Sequence, residues 1–275
     1  MNMFDPDLNL GRLVHSFEPV TLGQLNAKAG MLSRIDNKYV VRRDALHRAI
    51  PDLGRYFDVL DIDHKRAFTY DTRYFDDAQR SAYYEHHQGL RKGFKVRIRR
   101  YADAGLCFLE VKVKGKRGMT VKHRKEQDAH NIETLSDEAY HFARSTYTGH
   151  YGKPFEYNLK RVLDIRYKRI TLVAKDGGER MTIDTDLQFW AGGESLSVGT
   201  DVFIVETKSR LGRGYADKCL RQVNARPTKR CSKYCVGMAV MGEVSRYNRF
   251  LPTMKKLGLV GDTGVLPERI IQIAA

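Results

Sequence analysis

The chain of 275 residues is 42% hydrophobic and 29% charged, enough apolar content to bury a core, which excludes a disordered chain. Its net charge of +15 points to an anionic partner such as nucleic acid, a membrane surface or a small polyanion. Four cysteines are too few for a disulfide scaffold, no apolar run approaches the ~18 residues that span a bilayer, and MNMFDPDLNLGRL at the start lacks signal-peptide organisation, so a cytoplasmic protein is expected.

In chain order, LGQLNAKAGML (22–32) carries apolar residues at helical spacing. KYVVRR (38–43), YFDVLDID (56–63) and RAFTYDTRYF (66–75) are rich in β-branched and aromatic residues and read as strands. DDAQRSAYYEHHQ (76–88) reads as a helix with acids in its first turn, His86 and His87 lying on its surface. GFKVRIRRYADAGLCFLEVKVKGKRG (93–118) is a hairpin turning at ADAG, followed by MTVKHRKEQ (119–127) as a third strand. LSDEAYHFARSTY (135–147) is a helix with Ser136 as N-cap. RVLDIRYKRITLV, ERMTIDTDLQF and DVFIVETKS are strands, the first two joined by a hairpin at Asp176-Gly177-Gly178. GRGYADKCLRQV (212–223) and VGMAVMGEVSRYNRFLPTMKKL (236–257) close the chain as helices, the latter with a stripe of Val240, Met241, Val244, Tyr247, Leu251 and Met254. Cys231 and Cys235 are spaced C-x-x-x-C; a metal site with Cys219 is the minor alternative to reduced thiols in a core.

The charge is concentrated. Between Arg91 and Lys125 thirteen Lys or Arg meet two acids, a net +11, so the other 240 residues carry only +4. Side chains alternate faces along a strand, which puts Lys95, Arg97, Arg99 and Tyr101 together, and likewise Glu110, Lys112, Lys114 and Lys116. Lys122 and Arg124 continue the row, as do Tyr167 with Arg169, Arg180 with Thr182, Asp184 and Asp186, and Glu206 with Lys208. Arg100 and Arg117 fall off the pattern as surface charges. Cations ~5 Å apart repel by about 3 kcal/mol at an effective dielectric of 20, so such rows belong on a solvated face or around a polyanion. Recurrence over six or more strands favours the polyanion, inside a closed antiparallel barrel with a polar lumen and helices outside. Arg forks match phosphate oxygens in pairs, and carboxylates among them suit Mg²⁺ or Mn²⁺, the equipment of phosphoryl transfer. Neither G-x-x-x-x-G-K-[ST] nor a post-strand G-x-G-x-x-G occurs, so side chains must hold the phosphates. The hairpin rows offer only Tyr101 for base stacking, which argues against a single-stranded nucleic-acid binder; no sequence-specific nucleic-acid partner is expected.

SRIDNKYVV (33–41), TYDTRYFD (69–76), KVRIRRY (95–101), FLEVK (108–112), VKHR (121–124), IRYKR (165–169), RMTIDTDL (180–187), FIVETKS (203–209) and CSKY (231–234) resemble, in order, the motifs of the polyphosphate-polymerase (VTC, vacuolar transporter chaperone) catalytic domain family. That family is a branch of the triphosphate tunnel metalloenzymes, or CYTH-like superfamily. The resemblance implies an α+β chain built on a closed antiparallel tunnel barrel. One domain is expected over 1–275, its core about 33–235, with helical segments about 1–32 and about 236–275. The implied activity is that of an ATP–polyphosphate phosphotransferase, which extends inorganic polyphosphate with the γ-phosphate of ATP, using Mn²⁺ or Mg²⁺.

Carried over residue by residue, the resemblance implies that Lys38, Arg97, Arg99, Lys112, Arg169, Arg180 and Lys233 clamp phosphates. It implies that Tyr167 and Ser232 hydrogen-bond the substrate and that Glu206 holds the metal. Strand alternation adds Lys122, Arg124 and Lys208 as substrate-binding cations, and Glu110 and Asp184 as further metal carboxylates. Plainer roles stand beside these: Ser232 as a helix cap, Tyr167 as a packing aromatic, Glu206 as the partner of Lys208. Other tunnel enzymes open with E-x-E-x-K, whereas SRIDNK has Asp36 at one such position and no glutamate, which argues against simple triphosphatase chemistry. A tunnel triphosphatase and a non-catalytic polyphosphate-binding module remain the alternatives. ATP and polyphosphate are the expected partners, a separate membrane-protein partner is left open, and the oligomeric state is not set by the sequence.

Overall fold

Alternating polar and apolar residues give most strands two chemically different faces, and one large sheet puts them to use. The computed structural model describes residues 14–28, 34–115, 119–129 and 132–261. Its strands are β1 (Pro19–Val20), β2 (Ile35–Arg42), β3 (Phe57–Leu60), β4 (Ala67–Asp76), β5 (Phe94–Tyr101), β6 (Leu106–Lys114), β7 (Thr120–Glu126), β8 (Lys160–Ala174), β9 (Arg180–Ala191), β10 (Glu194–Ser197) and β11 (Val202–Ser209). The helices are α1 (Leu22–Lys28), α2 (Arg43–Tyr56), α3 (Ser81–Gln88), α4 (Asp137–Tyr151), α5 (Tyr215–Gln222), α6 (Lys233–Val240) and α7 (Leu251–Lys256). The main path runs β2-β11-β9-β8-β4-β5-β6-β7, every pair antiparallel, with β3 and β10 pairing onto β8 and β9 and β1 lying parallel to β3.

The expected closed barrel is not formed. Among the described residues the path ends at β2 on one side and β7 on the other, and these two do not pair. The chemistry of the edges accounts for this. β7 is exposed along most of its length and carries Lys122, His123, Arg124 and Lys125, and β2 carries Lys38 and Arg42. Charged edges resist pairing, and like charges directly across a ladder repel. The sheet nevertheless curls. Lys112 on β6 feels the charge of Glu206 on β11, four strands intervening. A flat sheet would hold them ~24 Å apart, at ~4.8 Å per strand, well beyond a screening length of ~10 Å. The sheet is an open trough.

The outer face is apolar and helix-covered. Val96, Ile98, Leu109 and Val111 pack under α4 with Ala139, Ala143 and Tyr147. Tyr39, Val205, Ile183 and Leu172 pack under α2 and α5, with Leu46, Leu53 and Leu220. The helix α2 has no counterpart in the sequence reading. Its Leu46, Ala49 and Leu53 share a buried face, but Pro51 in its interior removes one backbone donor and masks the pattern.

Not all helices lie outside. α6 packs on the inner face against Leu163, Ile165 and Phe189, filling one end of the trough. A Cβ on its Gly237 would come within 2.7 Å of Leu163 and Phe189, so this approach needs glycine. The long final helix is also broken. Gly242 at φ 70 ends α6 in a Schellman arrangement, with Gly242 N–H donating to Ala239 C=O and Glu243 N–H to Met238 C=O. Val240, Met241, Val244 and Met254 still reach the core. Other expected elements stand with adjusted ends. Ser136 caps α4, accepting from Ala139 N–H at 3.2 Å. α3 begins only at Ser81, and the preceding acids act as caps: Asp76 accepts from Ala82 and Tyr83 N–H, Asp77 from Ser81. His87 is buried rather than on the surface, beside Asn248. Residues 29–32 of the first expected helix lie outside the described residues, as do Lys116 and Arg117. Arg100 is partly buried on the outer face, paired with Asp71 at 2.6 Å.

Candidate active site

Because directly paired residues share a face, the ladder registers join the sequence rows into one inner surface. Lys38 faces Glu206, which faces Thr182; Asp184 faces Arg169, and Tyr167 faces Tyr70. Thr72 faces Arg99 and Tyr74 faces Arg97. Arg97 then faces Glu110, which faces Arg124, while Lys95, Lys112 and Lys122 align. Lys208 sits opposite Arg180 and Asp36. Lys233 and Ser232 enter from the start of α6. All fifteen expected residues thus line the trough or its rim.

Each carboxylate lies between cations. Glu110, with no exposed surface, accepts from Arg97 Nε at 2.6 Å and Lys122 Nζ at 3.0 Å. Burial alone would push its carboxyl up, but Arg97, Arg99 and Lys122 hold it far below the usual range. Asp184 accepts two hydrogen bonds from Arg169, at 2.6 and 2.8 Å, and one from Lys233. Its carboxyl is likewise held down against burial. Glu206 pairs with Lys38 at 3.0 Å and with Lys208, and Lys208 also donates to Asp36 at 2.7 Å. Burial opposes ionisation of Glu206 as well, yet Lys38 and Lys208 hold it far down. The Lys38 ammonium, which burial would lower, is raised by Glu206.

Aromatic rings take up much of the remaining repulsion. Tyr70 and Tyr167 stack with centroids 5.3 Å apart, and burial pushes the Tyr70 hydroxyl up to about 12. Arg99 and Arg169 lie over both rings and Lys233 over Tyr167, 4.7 to 6.0 Å from the centroids. The negative ring faces stabilise cations placed this way. Arg97 donates to Tyr74 Oη at 2.8 Å, and Arg124 covers Phe108. Ser232 takes its plain role and another: it caps α6 at Cys235 N–H and accepts from Lys95 Nζ at 3.0 Å.

Three groups are left over. The Lys112 ammonium makes no hydrogen bond or ion pair with any described residue, and it is driven well below its ordinary value by Arg97, then by burial and Arg99. Arg180 Nε and Thr182 Oγ1 are buried without a hydrogen-bond partner. Such orphans are rare in a folded protein and mark where a ligand or solvent is missing. Lys95, Tyr70, Tyr74 and Thr182 were not among the expected site residues. Alternation already placed Lys95 and Thr182 in the rows, and Y-D-T-R-Y carried the two tyrosines.

The carboxylates differ in their fitness to hold a metal. Among the described residues no group of three or more His, Cys, Asp or Glu could hold an ion. Glu110 and Asp184 are buried in charge pairs, so neither fits as a ligand. Glu206 and Asp36 differ: both contact the Lys208 ammonium, so two oxygen donors already surround one cationic position. Mg²⁺ and Mn²⁺ are commonly held by one or two carboxylates plus substrate phosphates, and this pair fits that pattern. The four cysteines are buried free thiols. An open cleft of about 530 Å³ is lined by Tyr84, His87, Tyr247, Arg249 and neighbours, none of them from these rows.

A model of the VTC domain matches residues 33–242, the span from β2 through α6 that builds the trough. The chain belongs to the VTC domain family. Solved structures resemble this VTC domain loosely. A candidate adenylyl cyclase from Hippeastrum, HpAC1, described as having a dominant triphosphatase activity, matches at a TM-score of 0.47 and 15% identity, over 78% of this chain and 98% of its own. A candidate adenylate cyclase from Bacillus halodurans matches at 0.45 and 13%, over 72% and 95%. The PH1819 protein from Pyrococcus horikoshii OT3 matches at 0.42 and 14%, over 76% and 99%. No curated protein sequence matches. No helix among the described residues is long and apolar enough to cross a membrane.

Proposed function

We propose that this VTC domain is a metal-dependent phosphotransferase that makes inorganic polyphosphate from the γ-phosphate of ATP in its basic trough. The observation that carries the reading is the set of unspent groups on the inner face: Lys112 unpaired, and Arg180 Nε and Thr182 Oγ1 buried without partners. A phosphate chain supplies acceptor oxygens and negative charge to all three. In the reaction a terminal oxygen of the acceptor chain attacks the γ-phosphorus, the β–γ bridging bond breaks, and ADP leaves with its electron pair. Charge spreads over the γ-phosphoryl oxygens as this happens, and fixed cations lower the barrier by neutralising it in place. Arg97, Arg99, Arg169 and Lys38 are held rigidly by Glu110, the tyrosines, Asp184 and Glu206, so little reorganisation is needed. Glu206, with Asp36, would hold a divalent ion, which when bound neutralises phosphate oxygens. Lys208, opposite Arg180 on the same face, would donate to substrate oxygens beside it.

Incubating the purified protein with ATP and Mn²⁺, then assaying polyphosphate, ADP and free phosphate, tests the reading. Polymer with matching ADP is expected. Free phosphate without polymer would make it a triphosphatase, and tight polyphosphate binding without turnover a binding module.

A further inference from the structure

The inner rows do not stop at the trough. Lys95 follows Arg97 along β5, and Lys114 follows Lys112 along β6, so both rows run toward the hairpin's open end. There they meet the C-terminus of α3 and the segment leading into α6. Lys114 Nζ donates to Leu90 C=O at 2.7 Å, Arg230 to His86 C=O at 3.2 Å and Arg249 to His87 C=O at 2.7 Å. The two guanidinium groups converge on Gly89, where a Cβ would lie 3.7 Å from one and 3.8 Å from the other. Inside the trough every carboxylate is matched to cations; here Lys95, Lys114, Arg230 and Arg249 gather with no ion pair to a carboxylate among the described residues, the one carboxylate whose charge reaches Lys114 being the partly buried Glu85 of α3. They are anchored instead to Ser232 and to the negative end of α3. His86 registers the density of charge: Lys95, then burial, Lys114 and Arg230 push its imidazole down to about 2. Such a cluster costs stability unless an anion shares it.

We propose that this cluster is a second polyanion subsite, continuous with the trough, over which the phosphate chain beyond the reacting end is held. The inference rests on the phosphate-chain reading of the trough. Continuity with the Lys95 and Lys112 rows commits the occupant to that chain rather than to nucleic acid or an acidic peptide. Short ligands fill the trough alone; long ones also reach Arg230 and Arg249.

The test compares tripolyphosphate with a polyphosphate of several tens of units, by competition binding at fixed ionic strength. The variants are Arg230→Asn, chosen because Arg230 has φ 61 and Asn tolerates that region, and Arg249→Ala. Both sites are exposed, and Arg230→Lys serves as the conservative control. Charged contacts of this kind correspond to about a tenfold loss or more each. Long-chain affinity is expected to fall by that factor in each variant, with a shallower salt dependence, while tripolyphosphate affinity stays as in the wild type and Arg230→Lys recovers most of the loss. Unchanged long-chain affinity, or an equal fall for both ligands, overturns the subsite and leaves the trough standing. A wild-type protein that binds neither ligand overturns both.

Discussion

Glu110→Gln tests the architecture of the trough most directly. The substitution keeps the shape of the side chain and an acceptor for Lys122, but removes the charge that compensates Arg97, itself 7% exposed. Breaking a buried pair by removing one partner costs about 3–5 kcal/mol. With an unfolding entropy of about 2.1 cal/mol/K per residue, that lowers Tm by about 5–9 °C for a chain of this size. Melting curves in phosphate-free buffer at pH 7 measure it. Because the folded carboxyl lies below its ordinary value of 4.5, its contribution is fully present above that pH. It is lost as pH falls through the range below it, so wild type and variant should converge on acidification. A bound phosphate chain replaces the missing charge beside Arg97, so tripolyphosphate should raise Tm more in the variant than in the wild type. A variant within ~1 °C of wild type at pH 7 would refute the claim that Glu110 holds the arginine row in place.

Thr182→Val removes an orphaned buried hydroxyl and should stabilise the free protein by about 1 kcal/mol, yet weaken tripolyphosphate binding about tenfold; melts and titrations read the opposite signs. Lys112→Met should be more stable than wild type near neutral pH. The unfolded lysine binds a proton that the folded one resists, so wild-type stability rises with pH and the gap closes toward 10.5, as melts at pH 7 and pH 10 would show. Glu206→Ala should abolish turnover while leaving metal-free polyphosphate affinity within a few-fold; unchanged turnover would remove Glu206 from the metal assignment.

Strand alternation made the inner face legible, because a period of two is imposed by the pleat and survives any fold. Arg97 with Lys95 and Arg99, Arg169 with Tyr167, and Glu206 with Lys208 could therefore each be placed on one face of their own strand from spacing, whereas Lys38 came only with the family resemblance. Closure was not legible. Whether a curled sheet joins its edges depends on cross-strand neighbours, and nothing local in VKHRK or NKYVVR says which strand each will face. The inward position of α6 was hidden for a related reason: CSKYCVGMAV is apolar all round, so its pattern does not say which side of the sheet it covers, and only the close approach at Gly237 decides it. Roles within the site divided the same way. That Glu110 and Asp184 would be spent on arginine, while Glu206 shares a lysine with Asp36, depends on register between strands distant in sequence.

Like charges along a strand face are a weaker sign of a polyanion than they first look. Glu110, Asp184 and Glu206 each sit between two or more cations, and three of those cations, Arg99, Arg169 and Lys233, also lie over the Tyr70–Tyr167 stack. Most of the repulsion is thus already settled in the ligand-free protein, and an aromatic- and carboxylate-laced row could stand as ordinary structure. The discriminating groups are those that this internal pairing leaves out. The Lys112 ammonium is pushed well below its ordinary value, chiefly by Arg97, while Arg180 Nε and Thr182 Oγ1 are buried with nothing to bond. All three are satisfied together by something that is both anionic and rich in acceptors. If phosphate chains bind, these three should respond to them more than the better-paired Arg97 and Arg169, whose partners are already in place.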